Sequence, residues 1–458
     1  MVDSQAANTT LREKVESLSR QHGEPTWLKE KRLNSYESYL QSPMPTVRDE
    51  DWRKTDIANL DLSKLVTVES IEKKTDTEPK AITALKETIE CAGVFAEDFA
   101  ARERYTSLES ALAAKGVVFT SLVDAFSNHH AVLEKTLSKE VFKKAESRVA
   151  DDKFSLMNKA MFNGGYFLYV PKNVTVEVPF VAVTTLPTLG TVAQDYGQAV
   201  FPRVIVIAEE NANLSLISMT NSQKAGHTEG SLTLANALVE IYVSAGARVS
   251  VAEVVEMEAN APVFAINRVR AYLAQDARID FNTAGLGGKQ IKSDIETLLL
   301  APGAESAVNG IVLGDAKERF AYNTIVDHSA PDTTSNINFR VALQDESVSI
   351  YQGIVKVDKI AQRTNAYQSN KNLLLGTEAR ADSIPKLEIL ADDVKCSHGA
   401  TVGPVDKEQL FYLMCRGLSL PSAEELIVTG FFKQILDLNT IAGVSDYVES
   451  LVSEKIHR

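Results

Sequence analysis

Hydrophobic and polar positions alternate with two periods along this chain, and the switch between them divides it into three parts. Leu11, Val15 and Leu18 recur at helical spacing within Thr10–Arg20. Pro25 and Thr26 open a second helix whose inward stripe is Trp27, Leu28, Leu33, Tyr36 and Tyr39. That helix stops at Ser42–Pro45. The charged stretch Pro45–Asp56 follows and encloses Trp52, which reads as an aromatic anchor pinning a charged loop. From Leu60 to Ala150 the pattern is mixed, with helical stretches expected at Glu103–Leu112 and His130–Ala145. His129 and His130, at a helix start, read as a solvated pair, because no nearby Cys or third His completes a metal site.

At Tyr166 the period drops from helical to two. Phe167–Val170 and Val174–Val178 are β-rich runs bounded by Pro171 and Pro179, and strand follows strand to Ile389. Asn211–Leu216, Gly246–Val251 and Asp276–Phe281 share one pattern: a turn residue and Ala, then alternating apolar side chains. Looser echoes begin at Gly303, Glu346 and Glu378. A turn–strand unit recurring at about 30–35 residues marks a stacked repeat. A β-helix accommodates uneven spacing best, since extra residues bulge out between rungs; a propeller and a two-sheet sandwich are the alternatives. In the β-helix reading Val249, Val251, Ile279 and Phe281 point inward, and Arg248, Arg278 and Asp280 outward.

After Pro404 the helical period returns. Asp406–Gly417 starts on an acidic cap and stops at glycine, Pro421–Leu436 has proline in its first turn, and Ser445–Ile456 forms a third helix. Cys415 reads as core. The expected organisation is a mostly helical segment 1–160, a mainly β core 161–400 and a helical segment 401–458.

Composition narrows the function classes. A formal charge of −13 disfavours nucleic acid and anionic membrane as partners. No apolar run reaches the ~18–20 residues of a membrane span, and the N-terminus carries acids where a signal peptide needs apolar residues, so the expected location is the cytoplasm. The 3 cysteines, Cys91, Cys396 and Cys415, are scattered. They cannot form a disulfide framework, nor the cage of about four thiolates that a conventional iron–sulfur cluster uses.

The candidate chemistry sits in Leu387–Gly403, where Cys396 and His398 are two apart. On an extended chain they share one face and place two soft metal ligands side by side. Lys395 next to the thiol would lower its pKa. A buried structural cysteine with a hydrogen-bonded histidine explains the pair as well. Gly285–Gln290 lacks the spacing of a phosphate loop and reads as a turn. A carbohydrate-active β-helix protein remains the second function class, with Asp276 and Asp280 as the carboxylates it would use.

The block Asp392-Asp-Val-Lys-Cys-Ser-His-Gly-Ala-Thr-Val-Gly403, followed by Asp406-x-x-Gln-Leu-Phe-Tyr-Leu-x-x-Arg-Gly417, resembles the C-terminal signature of the SufB/SufD family of iron–sulfur cluster assembly proteins, closer to its SufD branch. The Trp52 segment is similar to that family's N-terminal motif. The resemblance implies that the core is a right-handed parallel β-helix. It implies a non-catalytic scaffold working with SufB and the ATPase SufC, and a SufD-type homodimer when isolated. It implies a nascent cluster or iron at the SufB interface, with His398 as ligand and Cys396 as neighbouring thiol, and reduced flavin in the complex. It also implies that the C-terminal helices dock SufC, with Phe431 or Phe432 as anchors.

Overall fold

The computed structural model describes residues 2–457 apart from 54, 56, 58–59, 70, 72, 147, 188–196, 223–231 and 259–260. Its centre is a pair of 11-stranded, mainly parallel sheets. From Asn213–Ser222 onward the chain visits the sheets in turn. Thr233–Val243 lies in the first, Arg248–Glu256 in the second, Val263–Leu273 in the first, and so on to Arg380–Ile389 and Val394–Pro404, the last strands of each. Each strand pairs in parallel with the strand two further along. Val249 thus sits beside Ile279, and Val251 beside Phe281.

The repeated turn-plus-Ala pattern has a physical basis. Asn211, Gly246, Asp276 and Gly303 all have positive φ, between 53° and 74°. This left-handed corner favours glycine, asparagine and aspartate. The alanine after each corner is at most 1 % exposed. Ala212, Ala247 and Ala277 each offer a carbonyl to the amide that opens the next strand of the stack, Arg248, Arg278 and Glu305 respectively. The corners stack so closely that a Cβ at Gly303 would lie 2.0 Å from Asp276 Oδ1.

Period-two alternation then divides the side chains between two faces of each sheet. Val249, Val251, Ile279 and Phe281 point inward as expected and meet Ile291, Ile295 and Leu299 from the opposite sheet in one apolar core. The outer faces are covered by helices. Val2–Gln21, Thr26–Gln41 and Lys153–Met161 lie over the first sheet, where Val15, Leu28 and Phe154 pack with Ile205, Ile266 and Tyr272. Leu420–Leu436 and Val444–Ile456 cover the second sheet, where Val428, Phe432 and Val448 pack on Ile217, Val254 and Ile311. Trp52 is buried against Phe154 with a ring separation of 5.0 Å and anchors the charged segment as expected.

Three expectations are corrected. Glu103–Leu108 is a strand, antiparallel to Gly93–Asp98, with helix confined to Ser110–Ala114. Pairing along a sheet edge overrides its local helical pattern. The mostly helical segment 1–160 also supplies Gly93–Asp98 and Val118–Ser121 to the two sheets. At the other end the strands continue to Pro404, past Ile389. Cys415 is exposed, because its helix, Lys407–Cys415, buries no residue of its own.

Two predictions follow from this packing. Ile279 is fully buried, so Ile279→Asp would place an unpaired carboxylate between the sheets. It should lower unfolding free energy by roughly 3–5 kcal/mol, seen as a lower urea midpoint or as insoluble expression. His328 is also fully buried, and its ring nitrogens contact Thr333 Oγ1 at 2.7 Å and Ser335 Oγ at 2.9 Å. Burial pushes its pKa down to about 4. Between that value and the unfolded ~6.5 the unfolded chain binds more protons, so stability falls as pH drops through this window. From pH 7 to pH 5 this histidine alone should remove about 2 kcal/mol. Denaturation midpoints at the two pH values should converge by that amount in His328→Gln.

Candidate functional site at the uncovered end of the sheets

The stacking rule ends at Val394–Pro404. That strand pairs on one side with Thr364–Leu374 and with no described strand on the other. Arg380–Ile389 likewise closes the first sheet. In earlier layers the inward side chains are sandwiched by neighbours above and below. In this last layer they are not.

In-register pairing fixes which side chains these are. Ala366, Gln368, Asn370 and Asn372 face inward and are buried. Their partners on the terminal strand are Cys396, His398, Ala400 and Val402. The structure therefore brings Cys396 and His398 onto one face, as their spacing predicts. Cys396 is half-buried and packs against the edge of the core, whereas His398 is exposed. The sheets have carried the two side chains to the end of the stack on a paired strand.

The thiol differs from expectation. Burial pushes the Cys396 pKa up, opposed by a backbone hydrogen bond from Ala366. Lys395 does not activate it, because adjacent residues of a strand point to opposite faces. Cys396 is accordingly a neutral thiol at neutral pH until something displaces its proton. Among the described residues no group of three or more His, Cys, Asp or Glu side chains could hold a metal ion. Cys396 and His398 are thus two side chains with metal-binding chemistry on an open surface, without a third such group beside them among the described residues.

The C-terminal helices place the other candidates. Phe432 is fully buried and Phe431 half-buried, in contact with each other and with the second sheet. The Arg340 guanidinium lies 4.8 Å from the Phe431 ring and donates to the Phe431 carbonyl at 2.7 Å. Both phenylalanines fasten Leu420–Leu436 to the sheet, so Phe432 offers no docking surface. The uncovered apolar side chains of this region lie on the preceding helix, Lys407–Cys415, and on the first half of Leu420–Leu436 with the link between them. Phe411 is 70 % and Tyr412 57 % exposed, with Met414, Leu418, Leu420 and Leu426 also open. The helical period gives the stripe but not which side of a short terminal helix finds a partner. Asp276 and Asp280 form no carboxylate pair at a cleft: Asp276 marks a corner, and Asp280 is held by Arg278 at 3.0 Å.

Residues 191–431 match the SUF system FeS cluster assembly, SufBD core domain, and residues 5–181 match the SufBD protein N-terminal region. The chain is 30 % identical over 451 residues to the iron–sulfur cluster assembly protein SufD of Bacillus subtilis, covering 97 % of each. It is 27 % identical to an iron–sulfur cluster assembly SufBD family protein of Staphylococcus saprophyticus, over 92 % of this chain and 87 % of that one. A Staphylococcus aureus protein of the same description is 28 % identical with the same coverage. With both halves of the sequence matched and the likeness running almost end to end, the chain belongs to the SufB/SufD family of iron–sulfur cluster assembly proteins and is most like SufD.

Proposed function

We propose that this chain is a non-catalytic scaffold subunit on which an iron–sulfur cluster is assembled de novo, in a complex with SufB and the ATPase SufC. The observation that supports the reading best is the pairing of His398 with Cys396 on the inner face of an uncovered terminal strand. Two soft ligands are too few for a cluster, and a strand edge with free backbone groups is a natural surface for a second chain. A SufB subunit seated there supplies the missing ligands and covers the exposed layer. In the isolated chain a second copy occupies the same edge as a homodimer. The alternating return of the chain between the two sheets is read as a right-handed parallel β-helix. Its role is to hold the two ligands rigidly at the interface.

In this reading His398 is the principal ligand. Neutral imidazole offers a lone pair to iron. Cys396 reaches the metal once iron displaces the proton that burial holds on its sulfur. His398→Ala should leave the chain folded and able to join SufB and SufC, because an exposed imidazole contributes little to the core. Anaerobic reconstitution followed by iron and sulfide counting should show fewer clusters per complex. A wild-type count in His398→Ala would make His398 a structural histidine.

SufC is assigned to the apolar face of Lys407–Cys415. Exposed aromatic side chains are the usual anchors of an interface, and this helix lies outside the buried packing that holds the later helices. Phe411→Glu should weaken SufC capture at least tenfold without changing the melting temperature. Phe432→Ala should instead lower the melting temperature first, since that ring is core. Undiminished SufC binding by Phe411→Glu would move the docking site elsewhere.

A further inference from the structure

The last covered layer between the sheets changes character. One layer earlier the inward residues of Thr334–Leu343 include Ile337, Phe339 and Val341, all in the apolar core. On Thr364–Leu374 the corresponding positions are Gln368, Asn370 and Asn372. Gln368 is 0 % exposed, yet neither its amide oxygen nor its amide nitrogen has a hydrogen-bond partner among the described residues. Asn370 Nδ2, Asn372 Oδ1 and Ser383 Oγ are unpartnered too. Buried amides are normally satisfied, because each unmade bond is costly. A run of them at one level therefore points to partners that the isolated chain does not supply.

The fold makes room for this amide. A Cβ at position 353 would stand 2.1 Å from Gln368 Nε2 and 2.6 Å from Tyr351 Oη, so any residue larger than Gly353 would displace it. Tyr351 Oη is itself engaged with Thr324 Oγ1 at 2.9 Å. Gln368 is also the register partner of His398. Parallel neighbours stand ~4.8 Å apart with side chains on the same face, so an uncommitted amide lies in the layer immediately beneath the imidazole. No hydrogen bond joins the two in the isolated chain.

We propose that Gln368 is the positioning residue for His398. Its amide oxygen accepts the ring N–H of His398 while the other ring nitrogen faces the metal. A neutral imidazole carries one N–H and one lone pair. A ligating histidine almost always donates that N–H to an acceptor, which fixes its tautomer and its aim. Gln368 is the buried acceptor in register with the ring. This inference rests on the reading of His398 as an iron ligand.

The test is a double-mutant cycle in the anaerobic complex with SufB and SufC, using ferrous iron and sulfide as probes. Gln368→Leu and Gln368→Asn are each made with His398 present and in the His398→Ala background. The asparagine withdraws the acceptor by one carbon while keeping a polar side chain. With His398 present both should weaken iron retention 10–100-fold. In the His398→Ala background neither should weaken it further. Equal losses in both backgrounds would make Gln368 a packing residue and overturn the proposal. A second readout does not depend on cluster yield. In the zinc-loaded complex with 15N-histidine labelling, His398 should show a slowly exchanging ring N–H, identified by its absence in His398→Ala and lost in Gln368→Asn. A wild-type spectrum without that protected N–H overturns the proposal even if the leucine variant fails to fold. If His398→Ala retains wild-type iron, the ligand reading itself fails, while the zinc spectrum still decides whether Gln368 holds the ring.

Discussion

Parallel in-register stacking is the constraint on which the rest of this molecule depends. Each strand satisfies its backbone by pairing with the strand two positions later, and each inward side chain is covered by the next layer. A stack of this kind can continue, but it cannot end neutrally. Whatever stands on the inner face of its last strands is presented to the surface by the same geometry that buries every earlier layer. In this chain those side chains are Cys396, His398, Ala400 and Val402, with Gln368, Asn370 and Asn372 one layer below. The apolar interior thus gives way to a thiol, an imidazole and amides at the layer where covering stops.

The outer faces show why that end stays open while the others close. Over the first sheet, charged side chains from the N-terminal segment interlock with charged side chains of the strands. Arg270 meets Asp151 at 2.6 Å and Glu296 at 2.8 Å, Arg268 meets Asp294 at 2.8 Å and Asp152 at 3.2 Å, and Arg148 meets Asp327 and Asp358, both at 2.9 Å. The Arg268 and Arg270 pairs are largely buried; such pairs add little net stability over apolar packing, but breaking one leaves an uncompensated charge. They fix where the N-terminal helices lie. Opposite partners hold the Asp151 carboxyl at about 2, below the usual carboxylate range, although burial opposes the shift. Over the second sheet Lys455 plays the same part, buried with Glu318 at 2.8 Å and Asp315 at 3.2 Å. Both helical layers are thereby registered on the sheet faces, leaving the terminal strand edge as the exposed boundary.

Much of this was legible in the sequence because period-two alternation and left-handed corner residues are local properties. Asn211, Gly246, Asp276 and Gly303 announced the corners, and Val249 and Ile279 the inner face. That Cys396 and His398 share one face was legible because the relation of i to i+2 on a strand is local. Glu103–Leu108 was missed because a sheet edge recruited it. Phe432 faces its own sheet and Phe431 only half does, a difference that hydrophobicity along the sequence does not give. Gln368 carried a readable signal that went unused. Counting alternate positions from Ala366 puts Gln368, Asn370 and Asn372 on the inner face, where earlier strands have Ile337, Phe339 and Val341. Polar residues at core parity mark a break in the apolar stack, but only pairing with the terminal strand shows that the break lies under His398.

In the proposed function the chain is an assembly scaffold, which has to bind its product well enough to build it and weakly enough to release it, and the geometry bears on both demands. A complete cage within one chain would hold a cluster permanently. Two ligands on a surface hold it only while a second chain completes the set. In the proposed reading, the burial that favours the neutral Cys396 thiol also favours release, because a proton competes with the metal for the sulfur. His398 is exposed and has no hydrogen-bond partner among the described residues, so in the same reading it gains a fixed aim only when an acceptor captures its N–H. A rigid strand sets the position of the ring, whereas an acceptor beneath it sets its orientation. An unpaired amide kept at that level by a glycine opposite is the part of the structure that could turn a loosely held imidazole into a directed ligand.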